Sequence, residues 1–468
     1  MAIGLWHHPR MDSSLTHIVR VVERAAGELL AHRETPGMAV SIVRGGQPVW
    51  SRGFGVADPF AGRETTGDSL FRIASVTKPF TATALLQLRD EGRLALHDPI
   101  VAHLPDVRAI GDPFGVIERI TVGQMLLHTA GLPTDVPMAD PRRAPGLTQD
   151  ALLGSLHLVR LARPPDTHWH YSNLGYELLA ILVAHLTGER YPDRLARTVL
   201  APAGLADTTF QPTTAMTDRL AVGVLPGGRP GAWQRAPDHD SHTLLGDGGL
   251  WSSVDDLARW LSVQCLVGED DRRGDGPRVL DGASLRESQR PLVLVDLAGW
   301  RSAQGPGWAS FRIDETIWQG HTGSIAGFRA IALLRASDGL GVVALTNGAE
   351  RPNPVAHAAC RALLAAKPAR VGRDPVPAAA TRGPGPLGTW VNHEYAWRAT
   401  ITDVRGRLVL RVEGDEQPLL IEPTDDPGVW LTGGDSEDAG ELVRHVPEAG
   451  PDLPEVLRIA GWPFIREA

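Results

Sequence analysis

The chain has 468 residues, enough for one large domain and a smaller one, and its 43% hydrophobic and 22% charged residues are typical of a globular protein. The net charge is −9 and no long basic run occurs, so we expect no nucleic-acid partner. Two cysteines far apart in sequence predict neither a disulfide framework nor a cysteine zinc site, and no cofactor is expected. The first residues lack the pattern of a signal peptide, and no apolar stretch reaches the roughly 20 residues of a membrane span. We therefore expect a cytoplasmic protein with no membrane partner.

Apolar periodicity predicts an N-terminal helix over residues 15–32, capped by Asp12 or Ser13, and then a β-hairpin around Gly45-Gly46. Further helical segments are predicted at residues 121–128, 149–161, 174–191, 193–200, 254–264 and 353–366. Strands are predicted at residues 307–313, 316–319, 328–335 and 341–346.

This order of elements predicts an α+β fold for residues 1–367, with an antiparallel sheet formed by both ends of the segment and a helical region inserted between them. Residues 368–387 are rich in proline and have no periodic pattern, which predicts a linker. Residues 388–468 contain short alternating strands at nearly regular spacing, which predicts a small β-barrel or sandwich domain.

Ser75 and Lys78 lie three residues apart where an extended run gives way to helical periodicity. This spacing puts both side chains on one face of a helix start, with Pro79 in the first turn. A serine hydroxyl needs a partner to take its proton, and a desolvated lysine can be that partner. The chain has only two lysines, Lys78 and Lys367, so chance pairing is improbable. The alternative is a solvated lysine beside a capping serine.

Two further motifs accompany this pair. Tyr171-Ser172-Asn173 precedes a strongly helical segment, and His321-Thr322-Gly323 is predicted to lie between two strands. Together, in this order, the three motifs resemble those of the penicillin-recognising serine hydrolases, a family of DD-carboxypeptidases, class C β-lactamases, esterases and D-aminopeptidases. The resemblance covers residues 15–366 and implies a β-lactamase/transpeptidase-like fold.

The resemblance also implies roles for the motif residues. Ser75 would form an acyl-enzyme, Lys78 would exchange the proton of Ser75, and Tyr171 would pass a proton to the leaving group, aided by cationic neighbours such as Lys78 and His321. Asn173 would bind Lys78 and the substrate amide, and His321 would support Tyr171 or a substrate carboxylate. Backbone N–H groups of Ser75 and Ser324, with Thr322 and Gly323 beside them, would hold the oxyanion and the substrate.

Each of these residues also has a purely structural interpretation. Tyr171 could be a packing residue, Asn173 could cap the helix that follows it, and His321-Thr322-Gly323 could be only a β-turn. Histidines at 168 and 170 and a cluster at residues 238–242 raise the question of metal binding, but their spacing matches no hydrolytic zinc signature, so no metal is predicted. Four tryptophans near the motifs could wall a pocket or lie in the core: Trp169, Trp251, Trp308 and Trp318.

The third motif has histidine where many β-lactamases and transpeptidases have lysine. Histidine is familiar in D-aminopeptidases, some DD-carboxypeptidases and penicillin-binding-protein-type thioesterases, and lipocalin-like modules follow the catalytic domain in certain members. The resemblance therefore implies a lipocalin-like β-barrel for residues 388–468. Such a module could supply an arginine that binds a carboxylate, with Arg458 and Arg466 as candidates.

The leading hypothesis is a serine acyl-transfer enzyme that acts on a peptide-like small molecule through an amide, ester or thioester. A second hypothesis is a thioesterase that releases and cyclises a nonribosomal peptide, with a carrier-bound or thioester-activated peptide as partner. A promiscuous esterase is a third. A catalytically silent binding module is the alternative from another class, and the presence of all five side chains of the constellation argues against it.

Overall fold

The computed structural model divides the chain into two compact units, Met1–Lys367 and Pro368–Ala468. It describes residues 12–136, 148–229, 231–237, 245–265, 279–296, 299–366, 387–392, 397–404, 407–412, 419–423, 429–433, 442–446, 456–459 and 462–466. The predicted linker at 368–387 lies outside the described residues apart from Leu387, and so does the histidine-containing cluster at 238–242. Within the described part of the chain, no helix combines the length and the apolarity needed to cross a bilayer.

The helices and strands have the following bounds. The described α-helices are α1 (Ser13–Ala31), α2 (Lys78–Asp90), α3 (Ile100–His103), α4 (Val122–Leu126), α5 (Gln149–Gly154), α6 (Asn173–Thr187), α7 (Tyr191–Leu195), α8 (Val254–Gln264), α9 (Gly282–Ser288) and α10 (Asn353–Ala365). The strands of the first unit are β1 (Gly37–Arg44), β2 (Gln47–Asp58), β3 (Arg63–Glu64), β4 (Phe71–Arg72), β5 (Val224–Pro226), β6 (Trp233–Arg235), β7 (Trp251–Ser252), β8 (Val293–Leu294), β9 (Ser302–Gln304), β10 (Ala309–Ile313), β11 (Thr316–Ile325), β12 (Phe328–Arg335) and β13 (Leu340–Thr346). Those of the second unit are β14 (Gly388–Asn392), β15 (Trp397–Val404), β16 (Arg407–Val412), β17 (Leu419–Pro423), β18 (Val429–Gly433), β19 (Leu442–Val446), β20 (Val456–Ile459) and β21 (Trp462–Arg466).

A nine-stranded antiparallel sheet forms the centre of the first unit, in the order β3-β2-β1-β13-β12-β11-β10-β9-β8. The two ends of the unit meet where β1 pairs with β13, with Met38 opposite Thr346. This confirms the predicted antiparallel sheet with a helical region inserted. The predicted hairpin is β1 and β2, and its turn residues Gly45 and Gly46 have φ of 62° and 71°, which glycine adopts without strain.

The sheet is covered by helices on both faces. Met38, Val40 and Ile42 of β1 face one apolar cluster with α1 and α10, whereas Ala39 and Val43 face the other, which contains residues of α2, α6 and α8. In a strand that is buried on both sides, apolar residues do not alternate with polar ones. This explains why β1 is an almost continuous apolar run.

The segment of Ser75 differs in detail from the expectation. Ser75 lies in a 3₁₀ turn, Ala74–Thr77, and α2 begins only at Lys78. Pro79 is in the first turn of α2, where its missing N–H leaves no hydrogen bond unmade. The predicted spacing still holds, because the 3₁₀ turn continues directly into the helix.

Three other predictions are corrected by the structure. The third motif does not lie between strands, since β11 runs unbroken from Thr316 to Ile325 and contains it. Residues 149–161 are not one helix, because α5 ends at Gly154 and a short 3₁₀ turn follows it. The strand expected from Gly307 starts at Ala309 instead, after a Gly307 with φ of 89°.

The second unit is a closed barrel in which β14 to β21 follow one another in sequence order and β21 pairs back with β14. Neighbouring strands are antiparallel. On β15, buried Ala399 and Ile401 alternate with more exposed neighbours, which is the two-residue period of a strand that lines an apolar interior.

The α2 helix is anchored by an aromatic stack, and this generates a stability prediction. The rings of Phe80 and Trp260 are both buried and stack with centres 4.3 Å apart. We expect Phe80→Ala to lower the free energy of unfolding by roughly 3–5 kcal/mol, because it opens a cavity in the core. Phe114→Ala is the matched control, since Phe114 is 41% exposed, and it should cost no more than about 0.5 kcal/mol. Urea denaturation followed by circular dichroism measures both, and equal losses would contradict this account.

Candidate active site

The backbone before Ser75 is held in a strained conformation. Ala74 has φ of 47°, a left-handed value that is uncommon for a residue with a side chain. Ile73 is fixed by its N–H, which donates to the carbonyl of Leu250 at 3.0 Å. On the other side, a Cβ at Gly323 would lie 2.1 Å from the carbonyl oxygen of Ile73, so only glycine permits β11 to approach this closely. The third motif therefore packs directly against the segment that carries Ser75.

Lys78 is fully buried and its Nζ has three oxygen neighbours. Nζ lies 2.8 Å from Asn173 Oδ1, 3.0 Å from the backbone carbonyl of Asp247 and 3.3 Å from Ser75 Oγ. An ammonium can donate to all three oxygens. A neutral amine can donate to the first two, which only accept, and take a hydrogen bond from the Ser75 hydroxyl. The geometry therefore fits both states of a proton exchange between Ser75 and Lys78.

Asn173 is the first residue of α6 and is not its cap. Ser172 caps the helix, because its hydroxyl accepts the N–H of Gly175 at 2.9 Å. Asn173 Nδ2 donates to Asp135 Oδ1 at 3.0 Å, and this contact orients Oδ1 of the amide toward Lys78. The purely capping interpretation of Asn173 therefore does not hold.

Tyr171 lies among aromatic and basic groups. Lys78 Nζ is 4.7 Å from its ring centre, within the range of a cation–π interaction. The ring centres of His128, Trp169 and His321 lie 4.5, 6.0 and 6.3 Å from that of Tyr171. Trp169 is thus beside the site, whereas the three other tryptophans, Trp251, Trp308 and Trp318, are buried.

His128 fixes the chain on both sides of Tyr171, a role that the sequence did not indicate. Its backbone carbonyl accepts the N–H of His170 at 2.8 Å, and its Nδ1 accepts the N–H of Ser172 at 3.1 Å. Nδ1 is therefore unprotonated, and the neutral ring carries its hydrogen on Nε2. Burial, and next the charge of Lys78, lower the pKa of His128 well below its ordinary value.

His321 is buried on β11 with its Nδ1 2.7 Å from the carbonyl of Thr322. That carbonyl can only accept, so Nδ1 carries the hydrogen and Nε2 offers a lone pair. Burial, and next the charge of Lys78, lower the pKa of His321 to about 3. The expected cationic role of His321 near neutral pH is therefore wrong, and the side chain is a neutral hydrogen-bond acceptor.

Two buried carboxyls beside Lys78 were not identified from the sequence. Glu177 lies one turn after Asn173 on α6, and its Oε1 accepts the N–H groups of Gly246 and Asp247 at 3.1 and 3.0 Å. Asp247 Oδ2 lies 3.8 Å from Lys78 Nζ. The available signals were the four-residue spacing of Glu177 from Asn173 and the position of Asp247 in the glycine-rich turn before β7.

The exposures of the motif residues define an accessible face. Ser75, Tyr171, Asn173 and Thr322 are partly exposed and Ser324 is exposed, whereas Lys78, His321 and Gly323 are buried. A substrate can thus reach Ser75 while the group that exchanges its proton stays shielded from water.

The two arginines proposed as carboxylate ligands both lie in the second unit. Arg458 is on β20, opposite Arg444 and Pro463 in the strand register. Arg466 donates to the carbonyl of Leu387 at 2.8 Å and lies over the ring of Trp390. A role for either arginine in substrate binding remains a prediction.

The beta-lactamase family model matches residues 22–367 of the chain. The chain belongs to the beta-lactamase family. Members of this family are serine hydrolases, and the chain is an enzyme of this class. The family match spans the three motifs and the nine-stranded sheet.

Curated relatives of this beta-lactamase-family chain include D-alanyl-D-alanine-carboxypeptidase/endopeptidase AmpH of Escherichia coli (strain K12), 28% identical over 62% of this chain and 72% of AmpH. Protein flp of Staphylococcus aureus (strain NCTC 8325 / PS 47) is 24% identical over 67% of this chain, which spans only 59% of flp.

Solved structures also share the fold. The octameric penicillin-binding protein homologue from Pyrococcus abyssi covers 96% of this chain and is itself covered completely (100%), with a TM-score of 0.63 and 21% identity. D-amino acid amidase from Ochrobactrum anthropi SV3 has a TM-score of 0.64 at 23% identity, covering 75% of this chain and 99% of the amidase. At these identities the similarity establishes the β-lactamase/transpeptidase-like fold alone.

The depressed pKa of His321 predicts a pH-dependent stability. An unfolded histidine takes up a proton near pH 6.5, whereas folded His321 takes one up only near pH 3. The free energy of unfolding should therefore fall as pH drops from about 6.5 toward 3. His321 accounts for at most about 1.4 kcal/mol of this fall per pH unit. We expect His321→Asn to lose less stability than the parent between pH 7 and pH 4.5, as measured by urea denaturation at each pH. His168→Gln, at an exposed position, is the control, and parallel curves for parent and His321→Asn would refute the assignment.

Proposed function

We propose that the chain forms an acyl-enzyme at Ser75 with a peptide-like amide, ester or thioester. The observation that supports this most directly is the set of neighbours around Lys78 Nζ. Asn173 Oδ1 and the carbonyl of Asp247 take two of its hydrogens, so the third tetrahedral position is directed at Ser75 Oγ, 3.3 Å away. A buried amine held in this way is suited to accept the proton of the serine as it attacks.

The reaction follows from these positions. The Ser75 O–H bond breaks as Oγ bonds to the substrate carbonyl carbon, and the proton passes to the Lys78 amine. The carbonyl oxygen becomes an oxyanion, for which the backbone N–H groups of Ser75 and Ser324 are the proposed donors. Donors of this kind contribute several kcal/mol to transition-state stabilisation.

Tyr171 is the proposed route for the proton to the leaving group. Its ring lies near both Lys78, which holds the proton after attack, and His321, whose neutral Nε2 can accept a hydrogen bond. The phenol passes a proton to the departing nitrogen, oxygen or sulfur and regains one from the Lys78 ammonium. In the second half-reaction the same groups take the proton of water, which then releases the acyl group.

The substrate class we propose is a peptide or amide that contains a D-amino acid. This rests on two similar proteins, a D-alanyl-D-alanine-carboxypeptidase/endopeptidase and a D-amino acid amidase. Histidine in the third motif fits this class better than the lysine of many β-lactamases.

The nucleophile is tested by intact-protein mass spectrometry after incubation with a fluorophosphonate or a β-lactam. We expect one probe adduct on the parent chain and none on Ser75→Ala, because the acyl or phosphonyl bond forms at Ser75 Oγ. Ser155→Ala, which removes a partly exposed serine at the end of α5, is the matched control and should be labelled like the parent. Labelling of Ser75→Ala would eliminate the assignment, and absence of labelling by either probe would favour a catalytically silent scaffold.

A second function is favoured by the two-unit architecture. A closed eight-stranded barrel in sequence order supports a lipocalin-like second domain, and such a module with a histidine in the third motif fits a penicillin-binding-protein-type thioesterase. That enzyme would transfer a carrier-bound or thioester-activated peptide to Ser75 and release it by attack of the peptide's own amine.

Peptidyl thioesters distinguish the two functions. We expect the linear hydrolysed peptide to dominate over the cyclised product in liquid chromatography with mass detection, because the leading proposal uses water as the second nucleophile. The same peptide with its N-terminus acetylated is the control, since it has no amine for cyclisation. A predominantly cyclic product would establish the thioesterase instead, and turnover of short aryl esters with none of D-aminoacyl peptides would indicate an esterase.

A further inference from the structure

The carboxyls of Glu177 and Asp247 take no part in the steps above, although both are buried beside Lys78. The N–H groups of Gly246 and Asp247 hold Glu177 Oε1 at 3.1 and 3.0 Å, which brings the carboxyl of Glu177 close to that of Asp247. Asp247 Oδ1 is buried and has no hydrogen-bond partner among the described residues. Asp247 Oδ2 in turn lies 3.8 Å from Lys78 Nζ. Lys78, Asp247 and Glu177 thus form a row of neighbouring buried side chains.

The charges of this row do not balance if both carboxyls are ionised. Two carboxylates opposite one ammonium would leave a net negative charge in a buried site, which is strongly unfavourable. The unpartnered Asp247 Oδ1 can accept a hydrogen bond from the neighbouring Glu177 carboxyl only if that carboxyl carries a proton. One proton held between Glu177 and Asp247 resolves both conflicts and leaves a single negative charge opposite Lys78.

Glu177 is the better holder of that proton. Asp247 makes an ion pair with Lys78, whereas no ion pair joins Glu177 to Lys78 among the described residues. Burial, and next the negative charge of Asp247, raise the pKa of Glu177 well above its ordinary value. The arrangement is therefore a neutral Glu177 that donates to an ionised Asp247.

The other titratable groups around the row are neutral near pH 7. From β11 and from the segment after α4, His321 and His128 are both held unprotonated by burial and by the charge of Lys78. From α6 and α7, Tyr176 and Tyr191 are buried phenols whose pKa values are raised above the ordinary value. The rings of Tyr171 and Tyr176 lie 4.7 and 5.4 Å from Lys78 Nζ, and Asp247 approaches it with its carboxylate. Asp135 reaches the lysine only through Asn173.

We propose that Glu177 and Asp247 share one proton and present a single negative charge to Lys78, and that this charge sets the pH above which Lys78 can accept the proton of Ser75. The inference rests on the proposed function, since it assumes that Lys78 exchanges a proton with Ser75. Asp247 and Glu177 are positioning residues, because they act on the reaction through the lysine.

The proton balance is simple. When the Ser75 O–H bond breaks, a new N–H bond forms on Lys78, and the ammonium that results lies 3.8 Å from the Asp247 carboxylate. The carboxylate stabilises this ammonium until its proton passes on toward the leaving group. The proton of Glu177 stays in place throughout and keeps the pair at one negative charge.

The rate of labelling by a fluorophosphonate across pH 5 to 9 is the test. Fluoride leaves without needing a proton, so the acid limb of this profile reports the activation of Ser75 alone. Asp247→Asn removes the negative charge and keeps the backbone carbonyl that accepts from Lys78. The ammonium is then less favoured, so we expect the midpoint of the acid limb to move to lower pH by about one unit.

Glu177→Gln is the discriminating partner variant. A glutamine still accepts the two N–H groups through Oε1 and donates to Asp247, as the protonated glutamate does, so the midpoint should stay at the parent's value. Asp256→Asn is the matched control, because Asp256 is a fully buried acid that accepts from the N–H of Asp207, the hydroxyl of Thr208 and the guanidinium of Arg259. It should lower stability and leave the midpoint unchanged.

Opposite results overturn the inference. A midpoint unchanged in Asp247→Asn would exclude the charge effect, and an equal shift in Glu177→Gln would make Glu177 the anion. If Asp247→Asn does not fold, infrared difference spectroscopy of the parent against Glu177→Gln decides, since the parent should show the C=O stretch of a protonated carboxylic acid near pH 7 and the variant should lack it. Absence of that band would refute the shared proton. Labelling that persists in Ser75→Ala would instead refute the proposed function.

Discussion

The burial of one ammonium-bearing side chain constrains the whole site. Lys78 has no exposed surface, so each hydrogen on Nζ needs an oxygen supplied by the protein. Those oxygens come from three parts of the chain that are distant in sequence: the 3₁₀ turn of Ser75, the start of α6 at Asn173 and the turn at Asp247. The fold brings these three parts to one point, and a shift in any of them would leave a buried charge without a partner.

The same constraint explains the less obvious neighbours. A cation in a dry interior lowers the proton affinity of nearby imidazoles, and both His128 and His321 are neutral for this reason and because they are buried. Their hydrogen-bond partners then fix which ring nitrogen carries the hydrogen. Tyr171 is surrounded by groups with defined protonation, and His128 holds its flanking backbone from both sides.

Much of this arrangement was predictable from local sequence. The hairpin follows from two glycines between apolar strands, the sheet from the order of the elements, and the convergence of Ser75, Lys78 and Asn173 from two short motifs. The rest depends on contacts between distant segments. Nothing local distinguishes Asp247 from a turn residue, or indicates that Ser172 rather than Asn173 caps α6. The sequence predicts the third motif between two strands because polar residues and a glycine do not indicate a strand, whereas pairing with β12 places the motif within β11.

The pairing of β1 with β13 has a consequence for how the protein forms during translation. Met38 and Thr346 are adjacent in the central sheet, so β1 leaves the ribosome long before its partner strand has been synthesised. Until then one edge of the N-terminal hairpin is an unpaired row of N–H and C=O groups beside an apolar strand, which favours association with other chains. Contacts between residues that are so far apart in sequence form slowly. The nascent chain should therefore depend on chaperone protection until the C-terminal strands of the first unit emerge.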